Sequence, residues 1–163
     1  MVRDFTLTEF AAFLTETALK VNDATHSALD DAARIVQVEA KHEVGQYQEA
    51  AGPFPAWAEL ADSTKEDRVR HGFTENDPGL RTGEMRESIK RSVGRHEAHV
   101  GSDDDKMVFF ELGTEKQPPR TVLAGALIRK TDEVRHVIGR RFVGTLFGAD
   151  VVGGSLPVVG GED

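Results

Sequence analysis

The chain has 163 residues, and its 28 acidic against 20 basic side chains give a formal net charge of −8. That balance argues against holding nucleic acid by its phosphates, which needs clustered lysine and arginine, although it is compatible with letting DNA slide past. At 39% hydrophobic and 29% charged, the chain has material for a core and is composed neither like a membrane protein nor like a disordered one. The absence of cysteine excludes disulfides, thiolate metal sites and a cysteine nucleophile. No apolar run approaches the roughly 20 residues that span a bilayer. Met1-Val2-Arg3-Asp4-Phe5 does not lead a basic stretch into an apolar one, so no secretory signal is expected.

The first half reads as helix. Thr6 and Glu9 stand at capping-box spacing, and Phe10, Phe13, Leu14 and Thr17 follow on one face. Asn22-Asp23-Ala24-Thr25 is a softer stretch where the helix bends or restarts. From Ser27 to about Gln48, Leu29, Ala32, Ala33, Val36, Ala40 and Val44 mark a second, alanine-rich stripe. It suits close packing in a core or on a partner chain. Ala51-Gly52-Pro53-Phe54-Pro55 ends the helical region. Asp62-Ser63-Thr64 then caps a short helix through Arg70, and His71 to Pro78 reads as an exposed loop.

A second short helix starts around Arg81-Thr82-Gly83 and carries Met85 and Ile89. Ser88 to Val93 and Ala98 to Val100 read as two strands joined by a turn at Arg95-His96-Glu97. Asp103-Asp104-Asp105-Lys106 is another turn. Met107 to Leu112 is an apolar run short enough for a strand or a buried helix, which periodicity does not separate. Gln117-Pro118-Pro119-Arg120 is a rigid extended connection. Thr121 is expected to cap a last helix running to Phe142 or Phe147. From Gly148 the tail is too glycine-rich for a helix. The expected organisation is one domain over 1–147, with 148–163 as a C-terminal arm. The expected fold class is α+β: a long N-terminal helix, an antiparallel sheet of about four strands, and a C-terminal helix packed on it.

Motifs for chemistry are sparse. His96-Glu97-Ala98-His99 misses the His-Glu-x-x-His spacing that puts two zinc ligands one helical turn apart. Asp103 to Asp105 lacks the alternating ligands and central glycine of a calcium loop. No glycine-rich phosphate loop opens a helix, and no serine sits in a nucleophile elbow. The expectation is therefore no catalytic residue, no metal and no cofactor. The alternative of another class is a small cytoplasmic metal-dependent hydrolase or nuclease built on His96, His99 and the acidic turn. Arg129, Arg135, Arg140 and Arg141 alternate with Asp132 and Glu133, as on a solvated or intersubunit face.

The most informative stretch is an ordered series: Trp57, Leu60, Thr64 and Arg68; Pro78-Gly79-Leu80-Arg81-Thr82-Gly83-Glu84-Met85-Arg86-Glu87-Ser88-Ile89; Val100-Gly101-Ser102; Phe109-Phe110-Glu111-Leu112-Gly113-Thr114; and Pro119-Arg120-Thr121-Val122-Leu123. This series resembles the tailed-phage virion-morphogenesis or tail-completion family, small neck proteins that join heads to tails. It departs at Thr121-Val122, where that family shows proline and an aromatic, and at Phe110, where it shows a Tyr-Ala pair.

The resemblance implies a homo-oligomeric ring, a hexamer, between a head connector or stopper protein and a tail terminator or tail tube protein. DNA would pass through it without tight binding. The protein would be assembled in the host cytoplasm, reside in the virion neck and touch no membrane. A tail terminator or head-side stopper is the neighbouring alternative. Interface candidates are Arg81, Thr82, Gly83, Glu111, Gly113, Thr114 and Arg120, the last read as an exposed guanidinium on a stiff support. Asp103, Asp104 and Asp105 are candidates for a phosphate-repelling lumen. Gly101 and Gly113 are expected where a positive φ or a close backbone approach is required.

Overall fold

The computed structural model describes residues 6–147, so the expectations for the arm at 148–163 lie outside the described residues. Thr6 accepts a hydrogen bond from the Glu9 amide at 3.3 Å, and Glu9 accepts one from the Thr6 amide at 2.8 Å. This capping box starts helix α1, Leu7–Glu43, whose 37 residues make a rod about 55 Å long. The helix runs on without restarting at Asn22-Asp23-Ala24-Thr25. The Thr25 hydroxyl donates to the Val21 carbonyl one turn back at 2.7 Å, and Ala24 is the first buried residue of the rod. It ends at Glu43 rather than near Gln48. Val44 turns extended, and the Gly45 amide is taken by the Pro78 carbonyl at 2.8 Å.

Helix α2, Asp62–Arg70, lies where the sequence suggests, but its N-cap is Ala61 with no side-chain cap, so Asp62-Ser63-Thr64 open the helix rather than cap it. The one-turn helix α3, Glu84–Glu87, carries Met85 but stops before Ile89, which belongs to the first strand. Strands β1, Ile89–Val93, and β2, Ala98–Ser102, pair antiparallel, Ile89 opposite Ser102 and Val93 opposite Ala98. The sheet has two strands among the described residues, not about four. Met107 to Leu112 is the main reason. Asp104 accepts from the Lys106 amide at 2.9 Å and so caps helix α4, Asp105–Leu112, which buries Met107 and Phe110 three residues apart on one face.

The expected single last helix is two. Helix α5, Leu123–Arg129, breaks at Lys130, and helix α6, Thr131–Phe147, runs on from there. Thr121 is not the cap. Glu111, at the end of α4, accepts the amides of Val122, Leu123 and Ala124 at 2.7, 3.0 and 3.0 Å. A full carboxylate on three unpaired amides does the work of a hydroxyl cap more strongly.

The core lies where the C-terminal half of α1 (Val36, Ala40, Val44) meets Trp57, Met85, Ile89, Met107, Phe110, Val122 and Ala126. Trp57 and Phe110 stack edge-on with centroids 5.5 Å apart. Each such large side chain contributes about 1.5–3 kcal/mol by leaving water. Toward its N-terminus, α1 buries chiefly Ala24, Ala28, Ala32 and Ala33, and these small side chains let α6 lie close alongside. Pairs Arg141–Asp31 at 2.5 Å and Lys130–Glu39 at 3.5 Å fix α6 antiparallel to α1. No helix among the described residues is long and apolar enough to cross a membrane.

One buried ion pair ties α1 to α5. Glu43 is fully buried, and its Oε1 accepts from Arg129 Nη1 at 2.6 Å. Its Oε2 has no hydrogen-bond partner. Burial pushes the carboxyl up to about 7, against the pull of the Arg129 charge, with Glu39 and Glu111 adding to the rise. The folded protein thus holds this proton more tightly than an unfolded glutamate with its usual value of 4.5. Folding takes up a proton between those values, and stability falls as pH rises through that window. Glu43→Gln should remove about 1–3 kcal/mol of the loss in stability between pH 4.5 and 8. Urea unfolding followed by the fluorescence of Trp57, the single tryptophan, measures it. Equal pH slopes in the two proteins would show that Glu43 is not the responsible group.

Candidate functional site

Several members of the ordered series, Trp57, Gly79 and Arg120, meet at the ring of Phe110. Trp57 packs against it nearly perpendicular, and the Arg120 guanidinium lies 5.7 Å from its centroid. The Arg120 amide donates to the Phe110 carbonyl at 2.8 Å. Gly79 lies so near that an added Cβ would stand 3.0 Å from the ring. Residues far apart in the chain are thereby fastened at one point.

Arg120 is not exposed: 3% of its surface remains accessible. Its fork donates to the carbonyls of Ala58 and Glu59, at 2.8 Å and 3.2 Å from Nη2. Burial draws its pKa down from the ordinary arginine value. Arg68 does a matching job on the other side, donating to the Thr74 and Leu80 carbonyls at 2.7 and 2.6 Å. Both arginines staple irregular backbone, which otherwise leaves buried carbonyls without donors.

Glu111 is the internal cap already described. Gly113 has φ +76°, and a Cβ there would stand 2.7 Å from the Pro119 nitrogen, so the expectation of a close approach holds at that position. At Gly101 it does not: φ is not positive, and nothing lies within 4 Å of an added Cβ. Thr114 closes a turn, its hydroxyl accepting the amides of Lys116 and Gln117 at 3.3 and 3.1 Å.

Arg81, Thr82 and Gly83 form a separate surface group. Arg81 lies 4.9 Å over Phe73 and 3.3 Å from Asp67. Gly83 occupies the N-cap of α3 with φ +87°, and the Thr82 hydroxyl accepts the Glu84 amide at 3.4 Å.

Of the acidic turn, Asp103 pairs with Lys90 at 2.7 Å, which holds its carboxyl below the usual value. Asp104 is spent on the α4 cap, and Asp105 is exposed. His96 lies in the hairpin turn, and His99 stands exposed on β2, 3.4 Å from Glu97. Among the described residues no three His, Asp or Glu side chains gather as a metal set would.

Two apolar surfaces stand out among the described residues. At one end, residues 7–23 of α1 precede the first buried position, Ala24, and the end of α6 comes alongside at Lys20 and Asp23. This part of α1 carries Leu14, 50% exposed, and Leu19, and the end of α6 beside it carries Leu146 and Phe147. At the opposite end of α1, α4 turns Val108, Phe109 and Leu112 outward, the last 73% exposed. The reading of the sequence did not mark this second surface. Its signal was the i, i+1, i+4 spacing of those three residues, visible only once Met107 to Leu112 is known to be a helix.

Between the two ends runs a groove of about 480 Å³. Leu29 and Val36 of α1 form its floor, Ala98 and Val100 one wall, and Leu127 and Ile138 the other.

If Arg120 acts as an internal staple, Arg120→Lys loses the planar fork and costs about 1–3 kcal/mol in urea unfolding. Unchanged unfolding would contradict that role. No family model, curated protein or solved structure matches the chain.

Proposed function

We propose that the protein is an assembly unit that joins copies of itself head-to-tail into a ring, working as a neck component between a phage head and tail. The observation that carries this reading is the pair of unlike apolar surfaces at opposite ends of α1. A two-fold dimer uses one patch against itself, whereas a repeating head-to-tail contact needs two different patches that complement each other, and closure of that repeat makes a ring. Leaving the α4 face and the α1 arm in water is costly for a lone subunit, at about 25 cal/mol per Å² of apolar surface.

The ordered series that resembles the tail-completion family supports the same reading. Its residues Glu111, Gly113 and Arg120 fix the end of α4 and the start of α5, and so present the α4 face. The net charge of −8 suits a passage from which DNA is repelled rather than held. Asp105 and the partly neutralised Asp103 are the exposed carboxylates of the turn proposed to line it. Partners in this reading are further copies, a head connector or stopper protein, and a tail terminator or tail tube protein. Arg81, Thr82 and Thr114 remain the exposed interface candidates of the series.

Complementation tests the geometry. Leu14→Asp and Phe109→Asp each spoil one surface at an exposed position and should each leave the protein monomeric, with unchanged helical circular dichroism. Mixed in equal amounts, they should form one-to-one pairs in sedimentation, because each contributes the intact surface that the other lacks. Retention of the wild-type oligomer by Phe109→Asp, or no pairing on mixing, would contradict the head-to-tail contact.

A further inference from the structure

The outer part of α6 is an exception to the negative charge of the protein. From Val134 to Phe147 it carries Arg135, Arg140 and Arg141 and no carboxylate. Arg140 and Arg141 line a hollow of about 370 Å³ together with Asp31, Arg34 and Val137. Asp31 is already engaged there: its Oδ2 accepts from Arg141 Nε at 2.9 Å, and its Oδ1 lies 3.2 Å from Arg34. The adjacent carboxylate of α1, Asp30, is taken by Arg91 at 2.9 Å. Arg140 is exposed and has no ion pair among the described residues. One turn away on its own helix stand only His136, Val137, Val143 and Gly144. Three guanidinium groups thus share one carboxylate at the surface of an acidic protein, which suits the entry of a further carboxylate from outside.

The order of exposed side chains identifies that carboxylate. Along α6, Arg140, Val143 and Phe147 share one stripe, with Phe147 70% exposed. Along α4, Asp105, Val108, Phe109 and Leu112 share another, and all four are exposed. Each stripe opens on a charge and ends on a large apolar side chain seven residues later, about 10.5 Å along the axis. The two charges are opposite. Asp105 has no ion pair among the described residues, whereas Lys106 beside it is held by Glu84 and Asp104 at 3.6 and 3.8 Å.

We propose that α4 of a second copy lies parallel on the end of α6, with its Asp105 in the Arg34–Arg140–Arg141 hollow and its Leu112 on Phe147. Between those ends Val143 and Gly144 face Val108 and Phe109, and the missing side chain at Gly144 lets the helices approach. The inference rests on the head-to-tail reading and names the two helices and the charge that set its register. Of the exposed carboxylates of the turn, it gives Asp105 to the contact between copies and leaves Asp103 to the passage. A nucleic-acid phosphate fits the same arginines, but three of them on a chain of net charge −8 are few for holding DNA.

The chain has no native cysteine, so paired replacements report cleanly. Leu112→Cys with Phe147→Cys, both at exposed positions, should oxidise between copies and give linked dimers and larger multimers on a non-reducing denaturing gel. No link from that pair, or linking by Leu112→Cys with Arg140→Cys in its place, would overturn the parallel register. Asp105→Arg and Arg140→Asp should each weaken association about tenfold in sedimentation. Combined in one chain, they should weaken it less than their separate effects multiplied. Purely multiplicative losses would overturn the pairing, as would tight binding of a short DNA duplex that Arg140→Asp abolishes. A discrete wild-type assembly that ignores both charge variants and yields no cysteine link sinks this contact and leaves the ring standing. A wild-type chain that never associates sinks both.

Discussion

The α4–α5 connection depends on the Glu111 carboxylate. A seven-residue helix such as α5 cannot sustain itself, since nucleating a helix fixes several residues for the first hydrogen bond. Its first amides need an acceptor, and neither Thr121 nor the N-cap Val122 supplies one from its side chain. Glu111 does so from the last turn of the preceding helix. One side chain thereby sets both where α4 stops and where α5 starts. Gly113 lets the intervening chain turn back at van der Waals limits, and Arg120 fastens its return to the Ala58–Glu59 backbone. With that connection in place, Val122 and Ala126 enter the core, and α6 is delivered along α1.

This arrangement divides the residues of the molecule into those that hold the unit together and those left to meet something else. The charged groups that stand out in the sequence belong largely to the first kind. Arg68, Arg120 and Glu43 are buried, Arg129 spans from α5 to α1, and Arg141 fixes α6 to Asp31. The second kind is apolar: the N-terminal arm of α1, the end of α6 and the outer face of α4. The proposed ring uses these as its two complementary surfaces.

Local physics was legible where a segment decides its own structure. The Thr6–Glu9 cap, the alanine stripe of α1 and the hairpin from Ile89 to Ser102 all follow from spacing and turn residues. What was not legible depends on partners distant in sequence. Met107 to Leu112 has no period of its own long enough to choose, and the choice of helix rests on the Asp104 cap and on Phe110 meeting Trp57. Thr121 is a sound cap in isolation but loses to a carboxylate ten residues upstream. Arg120 follows two prolines, which suggested exposure, yet the stiffness they impose aims it inward at Ala58. The arm at α1 was legible as an apolar stripe, whereas the α4 surface was hidden by the unresolved choice between strand and helix.

The shape of the molecule makes a strong demand on its assembly, because a head-to-tail contact either closes or grows without limit. Native mass measurement of the full-length protein across a concentration series addresses that demand most directly. The proposed ring predicts one discrete assembly of fixed copy number in equilibrium with the subunit, hexameric if the family resemblance carries through. A subunit that remains single at every concentration, or an open-ended ladder of polymers, would contradict it.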